Sequence, residues 1–165
     1  MRRLTGRALD PPAESGPAAE DGRTGLPPRA KPGVLVVDDE HLARVILQLG
    51  LERDGFEVWT AANGRQAIEL YREHREDIAA VLLDVRMPGL DGPATLGALR
   101  ELSPAVRACF MTGDPNAYDP EALRQRGAAY FIAKPFHLDH LANVLRLLVQ
   151  AAPADLLPSG GGRQG

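Results

Sequence analysis

Five short apolar runs, each followed by a stretch with helical spacing, restrict the fold of this chain more than any other feature. "VLVVD" (34–38), "FEVWTA" (56–61), "IAAVLLD" (78–84), "AVRACFMT" (105–112) and "AAYFIA" (128–133) have the length and apolar content of buried strands. Between them, Leu42, Val45, Ile46 and Leu49 recur at helical spacing up to a stop at Gly55, and Ala67, Leu70 and Tyr71 follow Asn63, a good helix N-cap. A weaker helix from Pro93 to Leu102 opens on proline, a short one spans about Glu121 to Arg126, and a last one carries Leu138, Leu141, Leu145 and Leu148 on one stripe. This alternation predicts an α/β fold: an open parallel sheet, doubly wound, with helices on both faces.

The ends of the chain read differently. Residues 1–32 hold six prolines and four glycines without apolar periodicity, and "PADLLPSGGGRQG" (153–165) is similar, so both are expected to be disordered tails around one domain at 33–152. A net charge of −3 gives no reason to expect nucleic acid. The single cysteine, Cys109, excludes an internal disulfide and reads as buried packing, and no apolar run has membrane or secretory length, so the cytoplasm is the expected compartment.

In open α/β sheets the reactive crevice lies at the carboxyl ends of the strands. The residues there are Asp38, Asp39 and Glu40 after the first run, Asp84 after the third, Thr112 after the fourth and Lys134 after the fifth. Taken singly each is an ordinary loop or cap residue. Taken together they put several carboxylates in one cleft, an arrangement that needs a bound cation or a proton, and an all-oxygen set suits Mg²⁺. The chemistry such a set supports is phosphoryl transfer to a carboxylate: Asp84 as nucleophile, Mg²⁺ screening charge, Lys134 and Thr112 on phosphoryl oxygens.

The strings "VLVVDDE", "VLLDVRMPGLDG", "MTG" and "FIAKPF", in this order and spacing, resemble the receiver domain of two-component response regulators over about residues 33–150. The resemblance implies a flavodoxin-like fold with strand order 2-1-3-4-5, and the short Gly- and Pro-rich stretch beyond the last helix gives the expectation of no output domain. The resemblance also implies Asp84 as phosphoacceptor, Asp39 as the more direct metal ligand, Asp38 acting through water, and Arg86 lending its backbone carbonyl. Thr112 and Lys134 match the switch hydroxyl and the lysine of the family, and Lys134–Pro135 matches its cis peptide. Phe131, three residues before the lysine, takes the switch-aromatic place, and alternation puts Tyr130 on the other face. Gly113 is expected to leave room beside the phosphoryl group, and His137 or Asp139 to cap the last helix.

The implied donor is a histidine kinase or histidine phosphotransfer protein, with readout on the fourth helix, fifth strand and fifth helix, near Arg124 and Arg126. The protein is then a phosphoacceptor switch and not an enzyme with a separate substrate. Two rivals come from the same residues. An Asp-nucleophile phosphatase wants a second acid where Arg86 stands, and a phosphate-independent adaptor would have no need of the complete set. A P-loop ATPase is excluded, because no G-x-x-x-x-G-K-[ST] string is present. Trp59 reads as packing, His137 and His140 as surface residues, and His41 as a minor neighbour of the acids.

Overall fold

The computed structural model describes residues 31–114, 116 and 119–152. Apart from Lys31 and Pro32, the expected tails lie outside these residues. The elements in chain order are β1 (Gly33–Val37), α1 (His41–Arg53), β2 (Glu57–Ala61), α2 (Gly64–His74), β3 (Ile78–Asp84), α3 (Gly92–Leu102), β4 (Ala108–Thr112), α4 (Pro120–Gln125), β5 (Tyr130–Ala133) and α5 (Leu138–Gln150). The five strands form one parallel sheet of order β2-β1-β3-β4-β5.

Strand alternation divides the core in two. Leu35, Val37, Val81, Leu83 and Phe110 pack with residues of α2, α3 and α4, including Tyr71, Leu96, Leu99 and Leu123. Val34, Val36, Leu82, Cys109 and Met111 pack on the opposite face with Leu47 and Leu51 of α1 and Leu141, Leu145 and Leu148 of α5. The result is the expected three-layer sandwich. Order reverses at β1, so the crevice between the loops after β1 and β3 is the topological switch point where ligands settle in such sheets.

Local chemistry sets the boundaries. Asn63 caps α2 by accepting from the Gln66 N–H at 2.9 Å. Asp91 and Asp119, not singled out in the sequence, cap α3 and α4 in the same way. Gly55, at φ +91°, closes α1 with Phe56 N–H on the Leu51 carbonyl and Gly55 N–H on that of Glu52. The same closure at Gly127, φ +97°, uses the Ala128 N–H on Leu123, which is why β5 begins at Tyr130 and not at Ala128. β4 begins at Ala108 and not Ala105 because a turn from Ser103 to Val106 takes up the preceding apolar residues. Neither His137 nor Asp139 caps α5: His137 occupies the cap position without a side-chain hydrogen bond, and Asp139 faces Arg53 at 4.0 Å.

The largest departure is the facing of α1. Leu42, Ile46 and Leu49 are 73%, 57% and 63% exposed, and Val45 lies on the same outward strip. The core side of the helix is formed by Leu47, Gly50 and Leu51. A helix with two apolar faces shows the period without revealing which face turns inward.

Candidate functional site

β1 stops at Val37, so Asp38, Asp39 and Glu40 open the loop above the sheet. Asp38 is fully buried, its N–H still bonded to the Ala61 carbonyl at 3.2 Å. Its Oδ1 accepts from the Glu40 N–H at 2.9 Å, a turn that holds the carboxylate over the sheet. Asp84 ends β3 and is placed by flanking backbone bonds, Val85 N–H to the Met111 carbonyl of β4 and Gly92 N–H of α3 to the Val85 carbonyl. A Cβ at Gly92 would collide with the Asp84 carbonyl, so the close return of α3 onto the acceptor strand requires glycine there.

Lys134 leaves β5 through a 2.7 Å bond from its N–H to the Thr112 carbonyl, and the peptide that follows, to Pro135, is cis. Its Nζ bridges two acids, donating to Asp38 Oδ2 at 2.8 Å and to Asp84 Oδ1 at 3.0 Å. Burial raises the Asp84 carboxyl above its ordinary range; Lys134 pulls it back, and Asp38 and Asp39 push it up further. For Lys134, burial acts downward, but the hydrogen bonds and charges of Asp38 and Asp84 outweigh it and leave the ammonium raised. One oxygen each from Asp38, Asp39 and Asp84 lies within 4.8 Å of the others. Three hard carboxylates whose mutual repulsion shows in the shift of Asp84 fit a Mg²⁺ ion, which would relieve it.

The cleft over these groups has a volume of ≈ 320 Å³ and is bounded by Arg86, Thr112, Gly113 and Asp114. The Thr112 hydroxyl is buried and engaged with the backbone N–H and carbonyl of Asp114, both at 3.2 Å. Phe131 packs on the α2–α3–α4 side of the sheet and Tyr130 on the α1–α5 side, the division that alternation predicts.

Residues 34–146 match the family model of the response regulator receiver domain. The chain belongs to this family, the receiver domains of two-component systems. This receiver domain is 37% identical to the transcriptional regulatory protein PrrA of Mycobacterium tuberculosis over 119 residues, 72% of this chain and 50% of PrrA. It spans about half the length of the first curated relatives it matches. Against the sporulation initiation phosphotransferase F of Bacillus subtilis it is 30% identical, covering 68% of this chain and 90% of that protein. Among solved structures it is similar to the response regulator TrrA of Thermotoga maritima in complex with Mg²⁺-BeF, with a TM-score of 0.63 and 28% identity, covering 70% of this chain and 97% of that one.

The receiver site also includes groups that the strand pattern does not point to. Arg44 of α1 reaches back to the backbone of the acidic pair, and Arg86 pairs with Asp114 at 3.8 Å across the mouth. Gly113 differs from its expected role: a Cβ there would meet nothing within 4 Å, so the room beside the cleft does not depend on glycine. His41 lies 3.5 Å from Arg44 and bonds to none of the acids among the described residues. His137 and His140 are exposed; Trp59 packs on the core and stacks on His74, ring centroids 5.4 Å apart. Burial pushes the Cys109 thiol up to about 12, so it is inert packing. No helix among the described residues is long and apolar enough to cross a membrane.

Proposed function

We propose that this receiver domain takes a phosphoryl group from phosphohistidine onto Asp84 in the presence of Mg²⁺. The observation that carries the reading is Lys134 bridging Asp38 and Asp84 beside a three-carboxylate cluster at the switch point. Asp39, Asp84 and the Arg86 carbonyl, with Asp38 through water, would hold Mg²⁺, which would supply charge neutralisation at the phosphoryl oxygens. Asp84 keeps Oδ1 on Lys134 and attacks with its other oxygen; an O–P bond forms as the N–P bond breaks, and the imidazole keeps the electron pair. Lys134 then follows the phosphoryl group as a point charge. Thr112 releases Asp114 and turns to a phosphoryl oxygen, and Phe131 moves into the space, changing the α4–β5–α5 surface near Arg124 and Arg126.

The test uses acetyl phosphate and Mg²⁺ with intact-mass detection. One phosphoryl adduct is expected, absent without Mg²⁺ and absent in Asp84→Ala. An adduct of equal yield in Asp84→Ala, or sustained turnover of a phosphoester, would defeat the assignment, the latter in favour of a phosphatase.

The donor is a protein, and the outward face of α1 supports its docking there. An apolar groove of ≈ 240 Å³ between α1 and the β5–α5 loop is lined by Ile46, Pro135, Phe136 and Leu138, and Glu40 and Lys134 line both it and the phosphoryl cleft. An apolar strip continuous with the reaction site suits the helix that carries the donor histidine. Leu42→Ser with Leu49→Ser is expected to leave stability within ~0.5 kcal/mol. Phosphotransfer from a panel of phosphorylated histidine-kinase bundles should slow by at least ~10-fold. The acetyl phosphate rate should not change; equal slowing of both reactions would place the effect in the cleft and not in docking.

A further inference from the structure

Arg44 stands where helix electrostatics disfavour a cation, in the opening turns of α1. Its Nη1 donates to the Asp38 carbonyl at 2.7 Å and to the Asp39 carbonyl at 3.0 Å, one hydrogen for each. Those carbonyls belong to the two peptide planes that flank the Asp39 Cα. Holding both planes with one nitrogen fixes φ and ψ of Asp39, and with them the direction of its Cβ. Arg44 is itself fixed to the same loop, its N–H donating to the Glu40 carbonyl at 3.1 Å.

Asp39 is the acid that needs this control. Asp38 and Asp84 are oriented at their carboxylates by Glu40 and Lys134. Asp39 is exposed, and among the described residues no donor reaches its carboxylate. Among the described residues its orientation therefore comes from the backbone. We propose that Arg44 is a positioning residue that presents the Asp39 carboxylate to the metal by clamping the peptide groups on either side of it. The step rests on the Mg²⁺ reading above.

Charge and position predict opposite signs. If Arg44 acted only as a nearby cation, its removal would tighten Mg²⁺ binding. If it positions a ligand, removal weakens binding, as loss of the groups that orient metal ligands commonly does. The full chain with Arg44→Gln and with Arg44→Lys is titrated with Mg²⁺ alone by calorimetry. For Gln the dissociation constant is expected to rise about 10- to 100-fold. Lys, which keeps donors but reaches one atom less far, should recover part of the loss. In metal-free protein, ¹⁵N order parameters of Asp39 and Glu40 should fall below ~0.6 in the Gln variant, from ~0.85 in the unaltered chain. Mg²⁺ affinity unchanged or increased in Arg44→Gln overturns the proposal. If the unaltered chain takes up no Mg²⁺, the metal reading fails instead, and unchanged order parameters then overturn the clamp as well. Melting in chelator identifies a variant that has lost its fold, and the Lys variant then decides the question.

Discussion

Lys134→Met is expected to lose about 3 kcal/mol of folding stability at neutral pH in chelator, read from urea unfolding at unchanged m. Methionine keeps the stem and removes the charge. The Asp38 and Asp84 side chains are 1% and 9% exposed, and Lys134 bonds both. Without it two buried carboxylates face each other and Asp39 uncompensated, and breaking a buried pair costs about 3–5 kcal/mol. The lower figure applies because Lys134 keeps 28% of its side-chain surface in water. The ammonium is raised in the folded state, so its contribution is fully present below the lysine reference value of ~10.4 and is lost only as pH climbs through the higher folded value. Mg²⁺ should restore part of the loss, since a second cation can occupy the same field. A Met variant as stable as the unaltered protein would mean that the carboxylates are not held together by Lys134.

The parallel sheet and the site were legible because both depend on strand runs and their ends, whereas the strand order was implied only by the resemblance to the receiver family. A parallel strand covered on both faces must be an apolar run, so the five runs announced themselves, and the residue after each run had to lie on one edge of the sheet. Asp38, Asp84, Thr112 and Lys134 converge for that reason alone. Side-chain direction was less accessible. The Thr112 hydroxyl is hydrogen-bonded to the Asp114 backbone, a contact made by a loop that the strand pattern does not specify.

Facing was lost where both faces are apolar. Leu42, Val45, Ile46 and Leu49 satisfy the helical period as well as Leu47 and Leu51 do, and only packing on β1 and β2 decides between them. Strand starts shifted at β4 and β5 for another reason: apolar residues such as Val106 and Ala128 are buried in turns, so burial alone does not mark a strand. Arg44 did leave a signal in the sequence. A cation just inside a helix N-terminus is out of place electrostatically, and the acidic loop six residues upstream is what holds it.

Asp84→Asn should act in the opposite direction to Lys134→Met, although it alters the same ion pair. In chelator at pH 7 the Asn variant is expected to melt a few degrees above the unaltered protein. Asn keeps an oxygen for Lys134 and removes a charge that burial, Asp38 and Asp39 all oppose. The pH dependence follows from the raised carboxyl. Below the unfolded value of ~3.9 Asp84 is protonated in both states, and the two proteins should melt alike. As pH rises from the unfolded value toward and through the higher folded value, the stability of the protonated form is lost from the unaltered protein alone, so the Asn advantage opens across that interval and levels off above it. Mg²⁺ should reverse the order. At 100 times its dissociation constant it adds about 2.7 kcal/mol to whichever protein binds it, and the variant lacks a ligand carboxylate. Thermal melts at pH 3 and pH 7, with chelator and with Mg²⁺, test each part. An Asn variant less stable than the unaltered protein in chelator at pH 7 would mean that Lys134 more than compensates the acids, and equal stabilisation of both by Mg²⁺ would remove Asp84 from the metal site.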